Sequence, residues 1–255
     1  MSEKACCFCG STDNQLTNEH LWPSWIRDLV PDKDREAAHT YKFENSDTGV
    51  TAQYPEKIFT ATIKDVCDRC NNGWMSDSET RAQKLMSGVF QGRKRQLDQS
   101  GQATLAHWGT LKAMVAQRSF RGLDHGIPNL NDHYRELFDL RPRGLPDGLT
   151  VYTAQTGYSR GKGTSGFFRL TSIDLGGQGG PDHVNGYVFV FTVMDLAIIG
   201  LRSLTGERVE FESFGQGPDL DQAITRIWPT RKTFAWPSTP PITNRGLRAI
   251  AGDVT

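Results

Sequence analysis

The sequence predicts an α+β protein, in which a cysteine-braced N-terminal module is followed by a helix packed on a mostly antiparallel β-sheet. Three observations predict it. All five cysteines lie between Cys6 and Cys70, an amphipathic segment begins near Leu105, and short β-branched or aromatic runs bounded by glycine and proline fill the remainder. At 255 residues, 37% of them hydrophobic, the chain can bury a substantial core. The 23% charged fraction and scattered aromatics argue against disorder. No apolar run approaches the ~20 residues that span a bilayer. Met-Ser-Glu-Lys-Ala-Cys lacks the apolar stretch of a secretory signal. The expectation is a cytoplasmic protein with no membrane association and reduced thiols.

The first element is chemical. Cys6-Cys7-Phe8-Cys9 and Cys67-Asp68-Arg69-Cys70 each present two thiols across a two-residue gap, and two such pairs supply the four thiolates of a tetrahedral structural Zn²⁺ site. Pairing Cys7 with Cys9 leaves a cramped single-residue gap, so the expected ligands are Cys6, Cys9, Cys67 and Cys70. Gly10 suits the turn that frees backbone amides to face the sulfurs. About 57 residues separate the pairs, far more than the roughly 12 to 20 of a compact zinc finger, so something functional is inserted. That insert opens with Asn18-Glu19-His20-Leu21-Trp22-Pro23, a carboxylate beside an imidazole. The second pair runs directly into Asn71-Asn72-Gly73-Trp74-Met75 and then a stretch of helix formers from Asp77 to Lys84.

Composition divides the chain into a module over residues 1–92 and an α+β domain over 103–255, with the polar stretch Gln91 to Ala103 as the connection. Leu105, Trp108, Leu111, Met114, Val115 and Phe120 recur at helical spacing and predict one amphipathic helix. Strands are predicted at Leu149–Thr153, Gly166–Leu170, Tyr187–Val193 and Ala197–Leu201. Gly176 to Pro181 reads as a flexible connection, and Gly157 to Thr164 as a hairpin loop whose spacing does not fit a phosphate-binding loop. Two late pairs, Trp228-Pro229 and Trp236-Pro237, are placed in the core, because indoles bury more often than they stack on bases. His39, His107, His125, His133 and His183 lack chemical neighbours and are read as structural.

Charge is balanced, with 29 basic and 29 acidic residues. That excludes the global electrostatic footprint of a histone-like binder, while a local patch such as Arg93-Lys94-Arg95 can still hold phosphates.

The order Cys-x-x-Cys, Glu-His-x-x-Pro, Cys-x-x-Cys-Asn resembles the zinc-stabilised branch of the HNH endonucleases, over roughly the first 85 residues. The resemblance implies a ββα-metal module. It implies Glu19 as ligand of a catalytic divalent ion, His20 as the general base that activates water, Pro23 as the family's proline and Asn71 as the second metal ligand. Oxygen donors imply Mg²⁺ or Mn²⁺ at that position. The implied partner is nucleic acid, DNA first, and the C-terminal domain can add a protein partner. The family's middle asparagine has no counterpart in Ala61–Val66, which offers only Thr62 or Asp65, and Gly73-Trp74-Met75 stands where a lysine is usual. Asn-Asn-Gly-Trp-Met resembles a variant carrying a C-terminal extension, whose helix bears a Trp and a Lys, here Trp108 and Lys112, and which has late Trp-Pro pairs. The competing expectation is a non-catalytic zinc protein derived from such a nuclease, binding nucleic acid or protein.

Overall fold

Side chains alternate across Leu16-Thr-Asn-Glu-His20, and strand β1 (Leu16–His20) forms there with Glu19 buried and His20 exposed. The structure, a computed structural model, describes the chain outside residues 1–3, 36–38, 45–50, 57–58, 92, 120–126, 128, 143, 159–165, 176–183, 212–222, 238–239 and 251–255, with backbone alone at 33–34, 39–44, 51–56, 91 and 166–167. Two short helices follow β1, α1 (Ser24–Arg27) and α2 (Asp32–Arg35). An antiparallel hairpin of β2 (His39–Glu44) and β3 (Thr51–Glu56) comes next. Strand β4 (Thr62–Cys67) then returns to pair antiparallel with β1, so the insert ends beside its own start.

From β4 the chain passes into α3 (Asp68–Cys70), a π-helical turn over Asn71–Met75 and α4 (Ser76–Met86). The helical path kinks at Gly73, whose φ of −98° and ψ of −114° lie outside the helical region. A 3-10 turn (Val89–Gln91) and β5 (Arg95–Leu97) lead to α5 (Gln99–Gln117). Gln91 to Ala103, read from the sequence as a connection, holds β5 and the first turn of α5. Asp98 Oδ1 accepts the Gly101 N–H at 2.7 Å, capping the helix and starting it ahead of the apolar stripe. Of the residues in that stripe, Phe120 lies outside the described residues.

After α6 (Leu130–Leu140) come β6 (Leu149–Gln155), β7 (Gly166–Ile173), β8 (Gly186–Val193), β9 (Leu196–Ser203) and β10 (Thr225–Trp228). They form a five-stranded antiparallel sheet in the order β10-β6-β9-β8-β7. Every residue of β6, β8 and β9 is buried. Strand β11 (Phe234–Trp236) pairs with β5, and α7 (Asn244–Ile250) ends the described chain. The four expected strands are all present, each extended at one or both ends. Of the two indoles expected in the core, Trp236 is buried within the main hydrophobic cluster and Trp228 is half-buried against that cluster. The glycine run at 176–181 lies outside the described residues, as does most of the 157–164 loop.

Helix α5 is the axis of the molecule. From Leu105 to Gln117 every residue is buried. Gly109 lets its backbone rest on β9, where a Cβ would stand 2.7 Å from Ile198 Cγ2. Trp108 packs edge-on against Phe191 at 5.7 Å, and Trp22, just beyond β1, stacks on the same Phe191 at 4.4 Å. One hydrophobic cluster therefore runs from Cys6 and Phe8 through Trp108 to Phe191 and Trp236. Among the described residues no helix is long and apolar enough to cross a membrane.

Two of the histidines read as structural, His107 and His133, are buried. The side chain of His39, and His125 and His183 altogether, lie outside the described residues. His107 Nδ1 meets Ser78 Oγ at 3.2 Å, joining α4 to α5. Burial first, and then nearby Arg81, holds its pKa down at about 4; burial and Arg202 hold His133 at about 4 as well. A histidine depressed in the folded state binds fewer protons there than in the unfolded chain. Its contribution is present above the ordinary value of 6.5 and is lost as pH falls toward 4. We therefore expect stability to drop between about pH 6.5 and pH 4, by about 3 kcal/mol from His107. His107→Asn should shrink the difference between melting temperatures measured at neutral pH and at the acid end of that window. An unchanged difference refutes this account.

Candidate functional site

The strand pair β1–β4 sets where the two cysteine pairs meet, because Leu16 lies opposite Cys67. The chain before β1 forms a tight knuckle. The Gly10 N–H donates to Cys6 O at 2.8 Å, the Cys6 N–H to Ser11 O at 3.0 Å and the Cys7 N–H to Asp65 O at 2.9 Å. Gly10 is required by its φ of +66°, and it leaves room for the Arg135 guanidinium, which donates to Cys9 O. As a result the sulfurs of Cys6, Cys9, Cys67 and Cys70 all lie within 4.8 Å of one another. Cys9 and Cys67 Sγ are 3.6 Å apart, near the roughly 3.8 Å edge of a tetrahedron with ligand bonds of about 2.3 Å.

Packed this closely, the four thiols act on one another's protonation. A hydrogen bond with Cys70 draws Cys6 down to about 4, against the opposing effect of burial. That same bond, with burial, pushes Cys70 up, and burial drives Cys67 up to about 11. One thiolate suppresses the next, and a cation at the centre is what lets all four ionise. Four close sulfurs on rigid turns can hold a zinc ion. Cys7 stands outside the cluster, and burial pushes its thiol up.

The helix after the second cysteine pair reaches back to β1. The β1–β4 register shifts between Thr17 and Glu19, and Asn71 Nδ2 donates to Thr17 Oγ1 at 3.1 Å and to Asn18 O at 3.3 Å. The irregularity re-aims the strand end, and Asn71 holds it. Of the two substitutes for a middle asparagine, Thr62 sits opposite His20 in register, while Asp65 is committed to Arg118 at 3.1 Å.

No family model, curated protein or solved structure matches this chain.

Two further side chains complete the strand end, and sequence reasoning gives neither a role there. Lys112, on α5, has no exposed side-chain surface. Its ammonium donates to Glu19 Oε1 at 2.8 Å, to His20 O at 2.6 Å and to Glu79 Oε1 at 3.1 Å. All three N–H bonds are used, which is the condition for burying a cation. Burial alone lowers the Lys112 pKa, but Glu19 and Glu79 outweigh it and the net shift is upward. Burial raises Glu79 above the usual carboxylate range; Lys112 and His20 pull it down and Glu19 pushes it up. The available signal is a lysine on an otherwise apolar helix face, with Glu79 standing about two turns beyond Asn71.

Metal analysis should find one zinc per chain; Cys67→Ser should lose it and unfold the N-terminal region, whereas Cys7→Ser should keep it. A zinc-free wild type overturns the cluster as a metal site. Lys112→Met should leave Glu19 and Glu79 facing each other unpaired and cost about 3–5 kcal/mol. Because Glu79 is already held high, protonation should relieve that cost, so the loss should be smaller at acid pH than at alkaline pH. A loss independent of pH shows that the ammonium acts only through packing.

Proposed function

We propose that the chain is a metal-dependent endonuclease of the HNH type, with His20 as general base. One observation carries the reading. The Glu19-His20 pair sits at the end of a strand hydrogen-bonded to the strand that leads into Cys67 and Cys70, and the residue just beyond, Asn71, returns to that same strand. The chain order of the motif resemblance is thus matched by neighbouring elements: the cysteine cluster closes beside β1, and Asn71 bonds the strand one and two residues before Glu19.

Strand alternation separates the roles. Glu19 turns inward, while His20 faces solvent, where a phosphodiester and its attacking water can reach it. Glu19 Oε2 and Asn71 Oδ1 carry no hydrogen bond among the described residues, so these two oxygens are the donors assigned to Mg²⁺ or Mn²⁺. A divalent ion there supplies charge stabilisation for the phosphate and the leaving oxygen. His20 takes the proton from water, and Lys112, through His20 O, holds the backbone from which the imidazole projects. The sheet domain is assigned to selecting substrate or partner.

A second reading is favoured by a specific contact. Lys112 already neutralises Glu19, as a retained scaffold needs and a metal ligand does not. A non-catalytic nucleic-acid- or protein-binding protein follows from it. Plasmid nicking separates the two. Wild type should nick with Mg²⁺ or Mn²⁺ and stop when the divalent ion is withdrawn. His20→Ala should keep zinc and its melting temperature yet lose about 100-fold or more of the rate. Glu19→Ala should be partly rescued by raised Mn²⁺. Equal nicking by purified wild type and His20→Ala moves the conclusion to the binding protein.

A further inference from the structure

The fold gathers positive charge that the sequence leaves divided. Arg93, Lys94 and Arg95 are exposed at the start of β5. Strand β5 pairs with β11, Arg95 opposite Trp236 and Leu97 opposite Phe234. Just before β11 stand Arg231 and Lys232, both exposed. They are fixed by Gln102, a fully buried side chain of α5. The two protons of its Nε2 are divided among Leu97 O at 3.0 Å, Arg231 O at 3.1 Å and Lys232 O at 3.3 Å, and its Oε1 accepts the Arg231 N–H at 2.9 Å. One amide therefore locks a segment 130 residues away onto the helix that bears Lys112.

Among the described residues none of these five cations forms an ion pair. The acids beside them are already engaged: Asp98 accepts the Gly101 N–H, and Glu210 is paired with Arg226. In a chain of formal net charge zero, such a cluster is a local departure. We propose that the β5–β11 ribbon is a phosphate-backbone surface for duplex nucleic acid. This rests on the nuclease reading for its partner. A three-residue strand spans about 10 Å, the rise of roughly three nucleotides, so its two ends meet different phosphates. The path along α5 from Gln99 to Lys112 sets ribbon and strand end about 20 Å apart, within the reach of one short duplex.

The chemistry of the surroundings selects this partner. Leu140, on α6, is the large hydrophobic side chain exposed among the described residues. Among those residues the ribbon accordingly has no apolar wedge for a bilayer and no exposed aromatic platform for bases beside it. Contacts to phosphates alone read no sequence.

The test uses full-length, zinc-loaded protein carrying His20→Ala, without added Mg²⁺ or Mn²⁺, titrated into fluorescent duplex DNA over a range of salt. Parent affinity should fall with salt and be equal for two unrelated sequences. The triple variant Arg93→Gln, Lys94→Gln, Arg95→Gln and the double variant Arg231→Gln, Lys232→Gln should each bind at least about 10-fold more weakly near physiological salt. Each lost phosphate contact should flatten the slope of log K against log salt by about 0.9, with melting temperature unchanged. Unaltered slopes in both variants overturn the proposal, as does equal or tighter binding to phosphatidylserine vesicles or polyglutamate. Duplex binding that depends on these residues supports the ribbon even if wild type nicks nothing, an outcome that removes the nuclease reading alone.

Discussion

A single buried ammonium joins the parts of this molecule. Lys112 comes from the central helix, Glu19 and the His20 carbonyl from the end of β1, and Glu79 from the helix that follows the second cysteine pair. A cation taken from water costs several kcal/mol unless every proton finds an acceptor at good distance. That requirement is a constraint on three elements at once: shift any of them, and a charge is left buried without a partner. The sheet enters the same constraint, since the helix that delivers Lys112 rests on β9 through Gly109 and on Phe191 through Trp108.

The cysteine cluster constrains the opposite end of the same strand pair. Its two halves are 61 residues apart from Cys6 to Cys67, yet the Cys67 N–H donates to Cys6 Sγ at 3.3 Å. Closing so long a loop is tolerated because the entropic cost grows only slowly with length, and a metal held by the four sulfurs would add its binding free energy to folding. The insert is then free to carry its own hairpin while returning β4 beside β1. Cluster and ammonium thus bracket β1: one fixes Leu16, the other His20.

What is legible in the sequence follows from the range of each interaction. The four clustered cysteines can be read because two-residue cysteine gaps are locally defined, and the cluster contains Cys6 rather than Cys7, as the spacing predicts. The strands can be read because β-branched and aromatic runs are local signals. The start of α5 is hidden, since Asp98 caps Gly101 within a polar stretch that mimics a linker. Helix α6 escapes the sequence reading, although Leu130, Tyr134 and Leu137 lie at helical spacing and Tyr134 and Leu137 are buried. The sheet order has no local signature, and a lysine on an apolar helix face signals only that Lys112 needs partners, not which ones, because they lie 93 and 33 residues away.

The same contrast separates scaffold from chemistry at the strand end. Neighbouring residues of a strand face opposite ways, so Glu19 and His20 cannot share an environment. One is inside and paired; the other is outside and available. In the role proposed for it, His20 needs access to its substrate and a backbone that does not yield when it takes a proton. The inward carboxylate and the His20 carbonyl, both held by Lys112, supply that rigidity without covering the imidazole. Strand irregularity, asparagine and buried ion cluster are therefore parts of one support, and the exposed histidine is what they support.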